Sequence, residues 1–250
     1  MTSPISSAQE NSRDHLKRVA AEYAVRFIHS GMRVGLGSGS TAYFATCRIG
    51  ELIREGVLKD IVGFPTSREA RALAEKLGIP LMDDSMPNDL DLTIDGADEI
   101  DPKLNLIKGG GGALFREKIV AQATRREIIA VDDSKLSPTL GTNHFLPVEV
   151  SSFGWRSQQR FLESLGARVS IRRVAEGSQF LTDSGNMILD CTFGPIADPA
   201  ALAATLSARA GIIEHGMFVQ LASDVIVASS SGIRHVQQQG TAIAEIAAEE

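Results

Sequence analysis

The sequence predicts an α/β protein: a mostly parallel sheet with helices on both faces, and a smaller α+β domain inserted into it. Three observations carry this. Short apolar runs (VGLG, IVGF, LDLTID, EIIAVD) alternate with stretches whose apolar residues recur at three- and four-residue steps, the pattern of strands separated by amphipathic helices. The strand-like runs are apolar almost throughout, as strands covered on both faces must be. After Asn143 the rhythm changes to β-α-β-β-α-β, a split βαβ arrangement.

Taken in order, residues 1–13 are polar and Ser-rich and read as a disordered lead-in. From Asp14, the residues Leu16, Val19, Ala20, Tyr23, Ala24, Phe27 and Ile28 build one apolar helical face, with Gly31 as its stop. MRVGLG is a buried strand, followed by a Gly/Ser turn and a helix from Ser40. IVGF is a strand, SREARALAEKLG a helix closed by Gly78, and IPLMD and LDLTID two more strands. ALFREKIVAQA is a helix and EIIAVDD a strand.

In the second domain, FLPVEV is a strand, GWRSQQRFLESLG a helix and ARVSIRRV a strand, and QFLTDSGNMILDCTF is a hairpin turning at Asp183–Asn186. DPAALAATLSARAG is a helix with Asp198 as N-cap and Pro199 in its first turn, and GIIEHGMF is a final strand. SDVIVASS returns to the first sheet, and the Ala/Glu-rich TAIAEIAAEE reads as a short helix or frayed end. The expected domains are 14–143 with 221–250, and 144–220.

The bulk numbers narrow the function. A chain of 250 residues with 43% hydrophobic and 22% charged residues is an ordinary globular protein. Its net charge of −6 sets the overall field against nucleic acid and anionic membrane, so an anionic substrate needs a local cluster of donors. Cys47 and Cys191 show no metal or redox spacing and read as free thiols. With no apolar leader and no span long enough to cross a bilayer, the expected location is cytoplasmic. The five histidines are scattered and read as surface or core filler, and Trp155 as packing.

Three clusters can carry chemistry. GLGSGSTA (Gly35–Ala42) joins a strand to a helix; glycines let a backbone approach an anion, and amides, hydroxyls and the helix dipole favour phosphate. It lacks the Lys of a Walker loop and the third Gly of a dinucleotide fingerprint, and a tight turn that binds nothing would look the same. DGADEID (Asp95–Asp101) sets four carboxylates within seven positions at a strand end. Mutual repulsion would raise the proton affinity of at least one, while a solvated acidic turn and a magnesium site stay open as alternatives. KGGGGALFREK (Lys108–Lys118) places four consecutive glycines before a helix, a costly run unless the backbone needs close approach or special dihedrals. Glu117, about two turns on, would on its own be a solvated helix acid.

The three motifs together, in this order, resemble the type A ribose-5-phosphate isomerase family, and the likeness extends to VDDSK (Asp132–Lys135), LPVEV and LTDSGNMILD. The resemblance implies a Rossmann-like domain with a ferredoxin-like one. It places a sugar-phosphate loop on Ser38, Gly39, Ser40 and Thr41, an acidic loop on Asp95, Gly96, Ala97 and Asp98, and a lysine–glycine loop on Lys108, Gly109, Gly110 and Gly111. Glu117 becomes the catalytic glutamate, with Lys135 a further substrate lysine and Lys17 a basic position near the phosphate. Ser38 stands where many members have Thr, and Gly112 where Ala is frequent.

The implied reaction moves a proton between adjacent carbons of a pentose 5-phosphate through a cis-enediolate. Glu117 would be the base, Lys108 and the glycine amides would face the developing charge, and Asp95 and Asp98 would hold hydroxyls. No redox cofactor and no metal are expected, and the family tendency is a homodimer or homotetramer, with the second domain's sheet as a contact. Two other classes compete with this reading: a sugar-phosphate sensor, which should carry a basic helix-turn-helix, and an acyl- or CoA-transferring relative with Glu117 as nucleophile.

Overall fold

A computed structural model describes residues 7–83, 85, 89–239 and 242–246. In chain order the first elements are α1 (Ser7–Val25), β1 (Arg33–Leu36), α2 (Ser40–Arg54), β2 (Val62–Pro65), α3 (Arg68–Lys76) and β3 (Leu92–Asp95). Next come β4 (Glu99–Ile100), β5 (Leu106–Ile107), α4 (Leu114–Gln122), β6 (Glu127–Asp132) and β7 (Leu146–Val150). Then follow α5 (Trp155–Ser164), β8 (Arg168–Ile171), β9 (Met187–Thr192), α6 (Pro199–Ser207) and β10 (Ile212–His215). The chain closes with β11 (Met217–Phe218), β12 (Asp224–Ser229), β13 (Gly232–Gln239) and β14 (Ala242–Ile246).

The chain divides into two compact units, one of residues 1–96, 123–134 and 223–250, the other of 97–122 and 135–222. The first holds a seven-stranded sheet in the order β14-β13-β12-β6-β3-β1-β2. Strands β12, β6, β3, β1 and β2 run parallel, and β13 and β14 add an antiparallel edge. β3 and β6 are buried at every position, which is why their sequences are nearly unbroken apolar runs. From β1 the chain first adds β2 on one side and then β3 on the other, so the order reverses between β1 and β3. In parallel α/β sheets ligands bind at such a reversal, beyond the carboxyl ends of the strands.

Three features of this unit differ from expectation. Helix α1 starts at Ser7 rather than Asp14; residues 1–6 of the expected lead-in lie outside the described residues. It stops at Val25 rather than Gly31, because the amides of Arg26, Phe27 and Ile28 reach back three residues instead of four. Residues 242–246 form an edge strand on β13 instead of a helix: the open hydrogen-bonding edge of β13 outweighs the weak local preference of an Ala/Glu-rich segment. Residues 241 and 247–250 lie outside the described residues. IPLMD contributes only a single bridge, Gly63 to Leu81.

The second unit has a four-stranded antiparallel sheet, β10-β7-β9-β8, the ferredoxin-like order expected of β-α-β-β-α-β. Asp198 caps α6 by accepting from the Ala201 amide at 3.0 Å, with Pro199 following, as the sequence indicates. A second, three-stranded sheet, β11-β5-β4, was not foreseen. It draws residues 97–122 and 135–143, expected with the first domain, into this unit: β5 pairs with β11, and the buried Glu99 carboxylate accepts from the amides of Gly141, Thr142 and Asn143. The expected strand GIIEHGMF is broken at Gly216, where an added Cβ would lie 2.2 Å from the Lys108 carbonyl oxygen. There the chain leaves one sheet for the other.

In the first unit Asp224 (β12) is fully buried and accepts two hydrogen bonds from Arg126, at 2.8 and 2.9 Å, with His235 at 2.6 Å. Desolvation pushes its carboxyl up, but the hydrogen bonds from Arg126 and His235 and their charges win and hold it below the usual range. A depressed folded-state pKa stabilises above the unfolded value, near 4, and that stabilisation is lost as pH falls through it. Asp224→Asn is expected to cost about 3 kcal/mol in denaturant unfolding at pH 7, the low end for breaking a buried pair because Arg126 is a third exposed. The gap from wild type should narrow below about pH 4. A gap that stays constant down to pH 3 would refute the assignment.

Candidate active site

In the first unit the loop after β1 meets the end of β3 at the order reversal. A Cβ at Gly35 would sit 2.0 Å from the Thr93 hydroxyl, and one at Gly37 would sit 2.4 Å from the Asp95 carboxylate and 2.6 Å from the Ile94 carbonyl oxygen. These two glycines therefore serve strand packing, not the approach of an anion as the motif suggested. Asp95, itself buried, accepts from the Ser38 amide at 3.1 Å and the Gly96 amide at 2.7 Å. The Ser38 hydroxyl lies 2.7 Å from that of Thr66 and donates to Ser67 at 2.8 Å. Ser67 in turn caps α3, accepting from Ala70.

The Ser38 amide and hydroxyl thus both have protein partners. Gly39, at φ 86, is the N-cap of α2 and supplies no side chain to its amides. The amides of Ser40 and Thr41 open the helix, beside their own hydroxyls, and carry the positive end of its dipole. A cavity of about 220 Å³ reaches this point, lined by Gly37, Ser38 and Gly39 and by Ser67 and Ala70 of the neighbouring helix start. Thr66 and Ser67 were missed from sequence; their one signal was a Thr-Ser pair directly after a parallel strand.

In the second unit Lys108 and Glu117 are 3% and 6% exposed, and the ammonium lies 3.4 Å from Glu117 Oε2. Two backbone bonds fix Lys108: its amide donates to Gly216 at 2.8 Å, and Asp98 donates to Ile107 just before it. The Phe218 ring lies 5.5 Å from the Lys108 ammonium. Glu117 sits in the first turn of α4, and the next residue, Lys118, points to a different set of partners. Its ammonium donates to Glu214 and to the His215 carbonyl, both at 2.6 Å, and lies 3.2 Å from His215 Nδ1. Desolvation, with the Lys118 charge acting the same way, pushes the His215 imidazole down to about 4. His215 is therefore neutral at neutral pH and places its Nε2 3.1 Å from the Ser207 hydroxyl. Two adjacent residues anchored on different sides set the rotation of α4, and with it the direction of Glu117.

The acidic cluster separates into different tasks. Asp98 accepts from the Gly110 amide at 2.7 Å, which joins the acidic segment to the glycine run. Glu99 holds three amides, and Asp101 accepts from Lys103, Asn105 and the Asn105 side chain, so both are structural. Each of the four carboxylates has donors of its own. Among the described residues no three His, Cys, Asp or Glu side chains are grouped to hold a metal ion.

The glycine run needs both properties inferred for it: Gly109 has φ 97, and a Cβ at Gly110 would meet the Asp98 carboxylate at 2.7 Å. Lys135 ends a short 3₁₀ turn in the second unit and is half-buried. Lys17 pairs with Asp14 on its own helix at 3.0 Å. Of the predicted residues, Ser38–Thr41, Asp95 and Gly96 belong to the first unit, and Ala97, Asp98, Lys108–Gly111, Glu117 and Lys135 to the second.

Fold and side chains define a class: an α/β enzyme with a helix terminus suited to an anion and a buried carboxylate suited to proton transfer. Residues 62–232 match the model of the ribose 5-phosphate isomerase A (phosphoriboisomerase A) family. The chain is 56% identical over 225 residues to ribose-5-phosphate isomerase A of Chloroflexus aurantiacus, covering 90% of this chain and 94% of that one. It is 55% identical to the Desulfatibacillum aliphaticivorans protein of the same name, covering 90% and 98%. Among solved structures, ribose 5-phosphate isomerase from Plasmodium falciparum superposes with a TM-score of 0.87 at 38% identity, covering 90% of this chain and 99% of that one. A D-ribose-5-phosphate isomerase in complex with phospho-erythronic acid gives 0.88 at 36%, with the same coverage. The chain belongs to the ribose 5-phosphate isomerase A family.

The packing of β1 on β3 yields a stability test. Gly37→Ala is expected to cost about 2–3 kcal/mol, because the methyl overlaps both a side chain and main chain that cannot both retreat. Chemical denaturation reads the loss directly; an unchanged midpoint would show that the loop is not clamped by Asp95.

Proposed function

We propose that this chain interconverts D-ribose 5-phosphate and D-ribulose 5-phosphate, with Glu117 as the base that carries the proton. The observation that carries this reading is the buried Glu117 carboxylate held 3.4 Å from the Lys108 ammonium. A proton alpha to a carbonyl is weakly acidic. Its removal needs a base shielded from water and a cation or amide donors where the charge goes. Lys108 and the glycine loop supply the second requirement without a metal.

In the aldose-to-ketose direction Glu117 takes the proton from C2 of the open-chain sugar. The C–H electron pair becomes the C1=C2 bond, and the carbonyl π pair moves onto O1, giving a cis-enediolate. Glu117 then returns the proton to C1 as O2 loses its proton to O1 and C2 becomes the carbonyl. Hydrogen stays within one molecule, so no redox cofactor takes part. Lys108 and the Gly109–Gly111 loop, whose Gly110 amide is given to Asp98 and whose Gly111 amide is turned outward, face the charge on O1 and O2, and Asp95 and Asp98 hold hydroxyls, one of them assisting ring opening. The phosphate rests on the loop of Ser38, Gly39, Ser40 and Thr41, in which Ser38 ties the backbone to Asp95 and Ser67, with Gly96, Ala97 and Lys135 completing the contacts; binding at that inert end orients the reacting carbons. A solved relative is described with phospho-erythronic acid, whose planar carboxylate has the two-oxygen outline of an enediolate.

The same reading makes the protein a cytoplasmic homodimer or homotetramer of the non-oxidative pentose phosphate pathway or the Calvin cycle, independent of nucleic acid and membrane. The free thiols Cys47 and Cys191 support a reducing compartment. Among the described residues no helix is long and apolar enough to cross a membrane.

Glu117→Gln should lower kcat by about 10³-fold with KM nearly unchanged, since the amide keeps the shape but cannot take a proton. Wild-type activity should persist in excess EDTA. Turnover by the Gln variant within about tenfold of wild type would remove Glu117 from the base role.

A further inference from the structure

We propose that Arg172 is the positioning residue of the glycine loop: its guanidinium fixes two successive peptide planes and turns a flexible run into preorganised donors for the enediolate. This rests on the isomerase reading above.

Arg172 lies just past β8, and Asp190 of β9 grips it at two points: Nε donates to Oδ2 at 3.0 Å and Nη2 to Oδ1. The rings of Phe145 and Phe180 lie 5.6 and 5.9 Å from its Cζ, which restricts the guanidinium plane. Nη1, the remaining end of the fork, donates to the carbonyl oxygens of Gly109 at 2.8 Å and Gly110 at 2.9 Å. One nitrogen therefore holds two consecutive carbonyls.

The consequence follows from peptide planarity. In a trans peptide the N–H points opposite to the C=O of the same plane. With the Gly109 carbonyl turned to Arg172, the Gly110 amide points away and donates to Asp98 at 2.7 Å. With the Gly110 carbonyl turned to Arg172, the Gly111 amide also points away, on an exposed residue where even an added Cβ would meet nothing within 4 Å. The positive charge behind the carbonyls polarises both planes and strengthens their amides as donors. Four glycines in a row have no side chains to hold these planes. The first plane is also held by the Gly112 amide, which donates to the Gly109 carbonyl at 2.9 Å, and by Asp98 on the Gly110 amide, so the clamp bears most on the second plane, where Arg172 takes the Gly110 carbonyl. Nothing in the motif KGGGG signals the clamp, because Arg172 lies far along the chain, just past a strand and next to a second arginine, Arg173.

The test compares kcat and KM for ribose 5-phosphate in wild type, Arg172→Ala, Arg172→Lys and Glu117→Gln. Losing an oriented oxyanion donor lowers kcat by about 10²–10³-fold, so Arg172→Ala should fall about 10²-fold with KM within about threefold. Arg172→Lys keeps the charge facing Asp190 but lacks the fork, and should fall about tenfold. Added guanidinium or methylguanidinium should restore turnover in Arg172→Ala and leave Glu117→Gln unchanged, a difference that a purely structural role would not produce. If Arg172→Ala fails to fold, Arg172→Lys decides: wild-type kcat in folded protein overturns the proposal. It is equally overturned if folded Arg172→Ala keeps kcat within about threefold of wild type, or if guanidinium does not rescue it. An active wild type with unaffected Arg172 variants removes the clamp alone, whereas a wild type inactive on ribose 5-phosphate removes the isomerase reading and the clamp with it.

Discussion

The second unit is organised around one constraint: an ammonium and a carboxylate, Lys108 and Glu117, are buried side by side. Either charge alone in that environment would cost several kcal/mol, and the pair is tolerable only where its geometry is fixed from outside. Each supporting element can be read as part of that fixation. The β5–β11 pairing locks the backbone of Lys108, Gly216 lets the chain turn there, and Phe218 offers its ring to the ammonium. Lys118, tied to Glu214 and His215, stops α4 from rotating and carrying Glu117 away. A partly solvated pair would form more easily, but its two charges would be screened from one another.

The glycine run is the counterpart of that constraint. Ordering four glycines costs more backbone entropy than any other tetrapeptide, so the chain must recover it through fixed partners. The partners are particular: Asp98 on one amide, Leu114 packed where a Cβ on Gly109 would stand, Phe180 where one on Gly112 would stand, and Arg172 on two carbonyls. Larger residues at these positions would lower the entropy cost but collide. Close approach was the reason inferred for the run from sequence, and it holds at Gly110; the special dihedrals hold at Gly109 and Gly112.

What was legible in the sequence follows from the range of the forces involved. The long apolar strands β3 and β6, the capped helix α6 and the β-α-β-β-α-β order are local signals, and each stands where its residues indicate. Features settled by distant partners were not legible. Two-residue strands such as Glu99–Ile100 and Leu106–Ile107 are shorter than any period, so the small sheet and the unit boundary it moves left no trace. Residues 242–246 look helical until β13 offers them an edge. In the candidate site, GLGSGSTA does stand as the turn between a strand and a helix, but two of its glycines have a reason the motif does not show. Gly35 and Gly37 answer to Thr93 and Asp95, and only the strand order reveals that β1 and β3 are neighbours.

That correction bears on how an acidic protein holds an anion. With a net charge of −6 the overall field opposes a phosphate, and in the proposed reading the first unit would meet this with neutral donors: the amides and hydroxyls at the start of α2. Neutral donors need to be held in place more than they need to be strong, and here Asp95 does the holding by accepting from Ser38 and Gly96. A carboxylate beside an anion site looks unfavourable on charge alone. Its Oδ1, however, accepts from two backbone amides, and what that contributes is a fixed direction for the loop. The same logic runs through the second unit, where Arg172 holds carbonyls so that amides face away. In both units a charged side chain takes up peptide groups, a carboxylate on amides in one and a guanidinium on carbonyls in the other, and in the proposed reading the oriented planes rather than the charge would meet the ligand.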